Sequence, residues 1–232
     1  MLNRIITLDE VDSTNNYLKL NRGELPDGTL VTARIQTAGK GRRGHEWLAD
    51  QGMLPLSLLL KQPPHPDTLT LCAGVAVCEA LEPLLPGEEL GIKWPNDIIL
   101  HGHKLCGILC ESVCFGSSMD IVCGIGVNLA QTAEFFEKAN IPHGGSVEML
   151  TGVTINDRDK LAEDIAERLY SYSRSGFESV REKYVKRCLT VGKKIRIIEN
   201  GSEREAFAEG IAPNGFLVCS DENGRVEGNS GE

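Results

Sequence analysis

The chain has no apolar run approaching the roughly 20 residues that a helix needs to cross a bilayer. Its start, MLNRIITLDEVD, lacks the basic opening and long apolar core of a secretion signal. Both absences lead us to expect a cytoplasmic protein without a membrane partner. Cations are in deficit: 24 Lys and Arg stand against 33 Asp and Glu, a net charge of -9. That argues against a general affinity for nucleic acid, which rewards a broad basic face. No helix-turn-helix precedes LNRIITL, and DNA is not an expected partner. A disulfide framework does not fit the length or the missing secretion signal. The eight cysteines (Cys72, Cys78, Cys106, Cys110, Cys114, Cys123, Cys188 and Cys219) sit mostly among Leu, Val, Ile and Ala, where a free thiol behaves as a small hydrophobe. Cys106, Cys110 and Cys114 recur every four residues, but KLCGILCESVCF is rich in strand formers. On a strand such residues stand about 13 Å apart, too far to share one ion, so no structural metal is expected.

What is present suits one sizeable globular domain with room for a small second one: 232 residues, 41% of them hydrophobic. LNRIITL and TLVTARIQ read as strands, separated by a short helix through NNYLKL that Asp12, Ser13 or Thr14 can cap. MLPLSLLL reads as a strand in which Pro55 removes a ladder donor, so an edge or a bulge is expected there. The stretch from Leu69 to Leu85, closed by Pro86 and Gly87, predicts a buried helix. IKW, IIL, KLCGILCESVCF and IVCGIGVNLA, joined by PND, HGH and GSSMD turns, predict a hairpin-connected antiparallel sheet. TAEFFEKAN and NDRDKLAEDIAERLYSYS predict helices, the second with Leu161, Ile165 and Leu169 on one face. Gly176 ends it and FESVREKYVKRC continues. From about Thr190, short strands with ENG and PNG turns predict a small β-barrel. We therefore divide the chain into units 1–187 and 188–232. Without regular βαβ alternation, the pattern favours an α+β fold, a mixed or antiparallel sheet with helices, over a doubly wound one.

On this acidic chain, TAGKGRRGHEW packs three glycines and three strong cations into the six positions from Gly39 to Gly44. GKGRRG satisfies GxGxxG, but its context refuses a dinucleotide fold: HEWLADQGMLP is soon broken by Gly52 and Pro55, and no acidic residue follows at the required distance. A phosphate-cradling P-loop would need Lys after the last glycine, where His45 stands. The kinase setting is also missing. What remains is a backbone that can approach a ligand closely, with Lys40, Arg42 and Arg43 to neutralise concentrated negative charge. A solvated turn rarely carries this combination together with Trp47.

Further along, IKWPND puts Lys93 and Trp94 at a strand end, and Pro95 forces a turn that presents Asn96 and Asp97. Lys104 enters the fully apolar LCGIL; a lysine there is more often a snorkelling edge residue than a catalyst. GIGVN, Gly124 to Asn128, ends a strand with two glycines and an amide suited to reading a purine edge, or else forms a bulge.

Taken in order, DSTN, QTAGKGRRGHEW, KWPND, KLCGIL and GIGVNL resemble the catalytic domain of the biotin protein ligases, from about residue 5 to the C-terminus. That family joins biotin to a lysine of a carboxylase's biotin carboxyl carrier domain. The resemblance implies a class II aminoacyl-tRNA synthetase-like catalytic domain followed by an SH3-like barrel, and a homodimer through sheet edges. It assigns Ser13, Thr14, Asn15 and Gln36 to biotin, with Gly39, Lys40, Gly41 and Arg42 as the loop closing over biotin and the adenylate and Gly107 beside them. Lys104 would contact the biotin carboxylate and α-phosphate and, with Arg42, carry catalysis. Trp47 would pack on the ligand, while Arg43, Lys93, Asn96, Asp97 and Asn128 would serve the nucleotide, Asp97 as a holder of Mg²⁺. The family usually has Arg at the positions of Lys40 and His45 and an aromatic at that of Pro55, and one more strand would be expected after EGNSGE.

The chemistry of these residues agrees. Activating a carboxylate with ATP brings two anions together and builds further charge at the α-phosphate, so cations must converge, and Lys40, Arg42, Arg43, Lys93 and Lys104 supply them, with Mg²⁺. An acyl adenylate hydrolyses easily, which gives a glycine-rich lid a purpose. The same fold also serves lipoate or octanoate ligases, and a non-catalytic nucleotide- or anion-binding module is the remaining alternative.

Overall fold

RIITLDEV half-buries alternate residues, Ile6 and Leu8, as a strand with one covered face requires. In the computed structural model, which describes residues 1–44, 47–48, 50–116, 118–199, 202–222 and 224–228, this stretch is β1 (Arg4–Val11). It leads through α1 (Thr14–Asn21) to β2 (Thr29–Gln36), which pairs parallel to β1. Ser13 caps α1, its hydroxyl accepting from the Asn16 N–H at 3.5 Å. Next come β3 (Met53–Lys61), α2 (Leu69–Leu81), β4 (Gly91–Lys93), β5 (Asp97–Leu100), β6 (His103–Phe115) and β7 (Ser118–Asn128). Together the strands make a seven-stranded sheet in the order β1-β2-β3-β7-β6-β5-β4, antiparallel beyond the first pair.

The helices α3 (Ala133–Lys138), α4 (Val147–Thr151), α5 (Arg158–Ser175) and α6 (Arg181–Arg187) follow. The short α4, in SVEML, went unread in the sequence because five residues carry too little periodicity. The chain ends in β8 (Lys194–Glu199), β9 (Ser202–Ile211), β10 (Leu217–Asp221) and β11 (Gly224–Gly228), a separate four-stranded antiparallel sheet in which each strand pairs with the next.

The main core lies between the back of the large sheet and α2, α5 and α6. β3 sends Leu54, Leu56, Leu58 and Leu60 there, and β7 sends Ile121, Cys123, Ile125 and Val127. Each fully buried Leu contributes about 1.5–3 kcal/mol. Buried almost all round, α2 is rich in Ala and Val with Gly74 at its centre, where a Cβ would stand 3.5 Å from the Ile92 side chain. On the front of the sheet a smaller cluster of Leu18, Leu25, Val31, Leu59 and Val122 seats α1.

The terminal sheet joins the main core through Ala206, Ala208, Ile211, Leu217 and Cys219. It is also tied to the KWPND turn, where the Trp94 indole donates to Gly215 O at 3.1 Å and the Trp94 N–H to Thr190 Oγ at 3.1 Å.

Pro55 corrects one expectation. β3 is a central strand, and its register with β7 runs unbroken through the Pro55 and Gly126 pair. The proline is tolerated because the ladder with β2 ends at Thr32 and Leu56, one residue earlier, so on that side Pro55 faces no strand. The cysteines are free thiols, most of them in the core, and burial pushes Cys72 and Cys78 up to about 12. Cys114 is the exposed exception.

Glu79 binds the three main helices together. From α2 it accepts from the Tyr172 hydroxyl of α5 and from Lys183 Nζ of α6 at 2.8 Å, with Arg168 of α5 at 3.7 Å. Burial raises its carboxyl, but the hydrogen bonds from Lys183 and Tyr172 outweigh this and hold it below its ordinary value of 4.5. A carboxylate depressed on folding adds stability that is complete above its unfolded value and fades as pH falls through the folded one. We therefore expect Glu79→Gln to cost on the order of 1–2 kcal/mol at pH 7 and progressively less in acid below the ordinary carboxylate value, read by urea denaturation across that range. A deficit that does not change with pH would contradict the charge as its source.

Candidate active site

The front of the sheet carries small residues where the back carries large ones. Pro55 of β3, Gly107 of β6, and Gly124 and Gly126 of β7 floor a cavity of about 380 Å³, and Ser57 of β3 is fully buried behind it. Period two produces this directly: the residues between them are the Leu, Ile and Cys of the core. The register with β7, unbroken through Gly124 to Asn128, excludes the bulge reading of GIGVN.

One wall is the start of α1. Ser13, Thr14 and Asn15 are 3–4% exposed, and such burial demands polar partners. Gln36 Oε1 accepts from the Thr14 N–H at 3.0 Å and lies 3.1 Å from its hydroxyl oxygen. Ser57 Oγ sits 2.7 Å from Thr14 Oγ and 2.6 Å from Asn15 Oδ1. Asn15 Nδ2 donates to Glu111 at 2.8 Å.

The other wall is charged. Lys104 Nζ lies 2.8 Å from Asp97 Oδ1, which also accepts from Asn96 Nδ2 at 2.9 Å. Asn96 Oδ1 accepts from Arg42 Nη1 at 2.7 Å. This places the loop's Arg42, the turn's Asn96 and Asp97, and the strand's Lys104 in one network, although 62 residues separate Arg42 from Lys104 in the chain. Lys104 is therefore no snorkelling edge residue but a partly buried cation in an interior strand. Lys93 lines the same cavity from an exposed position.

Trp47 closes the floor. Its ring fills space that side chains at Gly107 and Gly126 would occupy, since a Cβ there would stand 2.7 Å and 2.5 Å from it. The indole N–H donates to Met53 Sδ at 2.7 Å, and Lys104 Nζ stands 5.2 Å from the ring centroid, within cation–π range. Trp47 N–H donates to Gly39 O at 3.0 Å, which folds the glycine-rich loop back on itself. Lys40 Nζ reaches Asn16 Oδ1 at 3.2 Å, and Gly41 lines the cavity. Arg43 falls in the short 3-10 turn from Arg42 to Gly44, and His45 lies outside the described residues.

Asn128, read as a nucleotide-facing amide, also has partners within the protein. It lines the cavity, but its amide donates to Gly145 O at 3.1 Å and accepts from Gln131 Nε2 at 3.0 Å. These bonds tie it to the wall behind Lys104.

Sequence reasoning missed Ser57, Glu111 and the segment after α3. Ser57 had a signal, as the lone hydroxyl in an apolar strand. Phe136, Ile141 and Gly144 line the cavity, and the Lys104 N–H donates to His143 O at 2.7 Å, contacts that no local pattern announces.

A glycine-floored cavity with cations at one end and a buried amide and hydroxyl array at the other defines a site for a small ligand with concentrated negative charge at one end. The chain belongs to the biotin/lipoate A/B protein ligase family, whose profile matches residues 8–128. It is 35% identical over 231 residues to the biotin-(acetyl-CoA-carboxylase) ligase of Paracoccus denitrificans, covering 94% of this chain and 95% of that one. To the protein of the same name from Mycobacterium tuberculosis it is 33% identical over 211 residues, 86% and 76% of the two lengths. Its fold is similar to that of the biotin protein ligase from Aquifex aeolicus in complex with biotin and ATP, with a TM-score of 0.82 at 29% identity over 100% of this chain and 97% of that one.

The seating of Trp47 on two glycines generates a test. Gly126→Val should displace the indole, giving a red-shifted emission and easier acrylamide quenching over the constant background of Trp94, which is 6% exposed. Unchanged emission would contradict the packing.

Proposed function

We propose that this protein is a biotin protein ligase: with ATP it converts biotin to biotinyl-5'-AMP and transfers the biotinyl group to a lysine of a biotin carboxyl carrier protein. The observation that carries the reading is the two-ended cavity. Its amide and hydroxyl array, Thr14, Asn15 and Gln36 with Ser57 behind them, offers donors and acceptors side by side, as a ureido ring needs. A lipoyl dithiolane or an octanoyl chain could use none of those donors and acceptors, so biotin is favoured over the substrates of lipoate and octanoate ligases. A non-catalytic nucleotide or anion module would not need Lys104 between the two ends.

In the first step a biotin carboxylate oxygen attacks the α-phosphorus of ATP and pyrophosphate leaves. Lys104 and Arg42 neutralise the charge that grows on the α-phosphate, and Lys40 and Lys93 make the potential at the cavity more positive. Asn96 and Asp97 hold these cations in place, Asn128 fixes the wall behind Lys104, and Arg43 and Trp47 belong to the lid that excludes water from the adenylate. In the second step the neutral amine of the carrier lysine attacks the acyl carbon, AMP leaves, and the proton lost from nitrogen passes to solvent. Ser13, Gly39, Gly41 and Gly107 shape the biotin end. Asp97 fits Mg²⁺, because one carboxylate with substrate phosphates is a donor set that ion accepts. Bound there, Mg²⁺ would shield the phosphate charge.

The proposal extends to architecture and setting. Residues 1–187 form a class II aminoacyl-tRNA synthetase-like catalytic unit, and 188–232 an SH3-like barrel. The mixed sheet and the separate four-stranded sheet support these assignments. β1 leaves one edge of the large sheet open, as a homodimer through sheet edges requires. Among the described residues no helix is long and apolar enough to cross a membrane, which accords with a cytoplasmic site of action.

Pyrophosphate release from biotin and ATP tests the reading, and release with lipoate but not biotin would overturn the substrate assignment. Lys104→Ala and Arg42→Ala should each lower the adenylation rate by about 10²–10³-fold, as the loss of one preorganised donor does elsewhere. Undiminished release from either variant would remove that residue from the chemistry.

A further inference from the structure

Glu111 stands on β6, four positions beyond Gly107, and none of the five motifs contains it. Its carboxylate bridges two groups of α1: Oε2 accepts from Asn15 Nδ2 and Oε1 from Lys19 Nζ, both at 2.8 Å. The residue is half-buried, its side chain 27% exposed and that of Lys19 24%. Burial raises the Glu111 carboxyl, but the hydrogen bonds from Lys19 and Asn15 outweigh that and hold it below its ordinary value, so it is ionised at neutral pH.

An ionised carboxylate can only accept, and the consequence passes from bond to bond. The end of the Asn15 amide that faces Glu111 must be its NH₂, so Oδ1 must face Ser57. Ser57 has one hydroxyl proton and two oxygen neighbours, Asn15 Oδ1 at 2.6 Å and Thr14 Oγ at 2.7 Å. Because Asn15 Oδ1 cannot donate, Ser57 gives it that proton, and the Thr14 hydroxyl must supply the other. At the end of the string Gln36 Oε1 accepts from the Thr14 N–H at 3.0 Å, which turns the Gln36 NH₂ toward Gly39 of the loop. A neutral group at position 111 would leave only the Leu109 carbonyl, 3.4 Å from Asn15 Nδ2, to hold the amide, and the sense of the string would be weakly set. Nothing else in the string supplies a fixed charge.

We infer that Glu111 is a positioning residue that acts through Asn15 and Ser57 to set the donor and acceptor sense of the array gripping the ligand's hydrogen-bonding ring. The inference rests on the reading of that array as the biotin end of the cavity. It makes Glu111 and Ser57 determinants of preference for a ligand with hydrogen-bonding groups over a plain acyl chain.

The test is steady-state adenylation, followed by pyrophosphate release, with biotin and ATP varied separately. Glu111→Gln conserves volume and removes the charge, and should raise the KM for biotin about tenfold while the KM for ATP and kcat at saturating biotin stay within about twofold. Ser57→Ala, a small change that cuts the string at its middle, should give the same split and serves where Glu111→Gln folds poorly. In an Asn15→Ala background, Glu111→Gln should add almost nothing, because residues acting through one another are not additive. Equal changes in both KM values, a fall in kcat alone, full additivity with Asn15→Ala, or no change in biotin KM while Asn15→Ala raises it would each overturn the inference by itself. If Asn15→Ala leaves the KM for biotin untouched, the assignment of the biotin end falls and takes the inference with it.

Discussion

Period two along three adjacent central strands is the constraint from which the rest of the molecule follows. Each of β3, β6 and β7 must show large apolar side chains to the helices behind it and small or polar ones to the front. The same residues that build the core thereby open the cavity. Leu54, Leu56 and Leu58 alternate with Pro55 and Ser57, and Cys123, Ile125 and Val127 with Gly124 and Gly126. A register slip of one residue would put leucines into the cavity and glycines into the core, so stability and site geometry are enforced together. The back is one continuous cluster reaching into the terminal sheet, whose attachment to Trp94 also braces the turn presenting Asn96 and Asp97.

Charge is organised locally against this frame. The chain carries a net charge of -9, yet Lys40, Arg42, Lys93 and Lys104 all line one cavity. Mutual repulsion is limited because they are held by different partners. Lys104 has Asp97, Arg42 donates to the Asn96 amide, and Lys40 donates to the Asn16 amide. Amide oxygens are weaker acceptors than phosphate or carboxylate oxygens. Lys40, held by an amide oxygen, is therefore placed where an incoming anion can outcompete the partner that positions it.

Much of this was legible in the sequence, for identifiable reasons. The strands of the large sheet and the helices α2 and α5 carry strong periodicity and clear Gly, Pro and Asp punctuation. DSTN announces a cap, and GKGRRG announces a loop with countercharge. What escaped depends on contacts distant in sequence. Pro55 reads as an edge residue until the end of the β2 ladder is known. The partners of Asn128, Gln131 and Gly145, are likewise invisible to a local reading. Glu111 reads as a solvent residue of a long hairpin because the amide and the ammonium it holds lie more than 90 positions earlier.

The glycine-rich loop joins the two halves of the site. Gly39 accepts from the Trp47 N–H at one turn of the loop, Lys40 reaches α1 beside the amide array, and Arg42 reaches the KWPND turn beside Asp97. On the proposed function, the loop's own side chains touch both the wall that grips biotin and the wall that receives the α-phosphate. Ligand at either end favours the same closed arrangement, because each draws on a cation of one short segment. A segment held at both walls is an element through which binding at one end can be felt at the other. A surface cluster of the same charge, spread over separate elements, could attract the anions but could not link their binding.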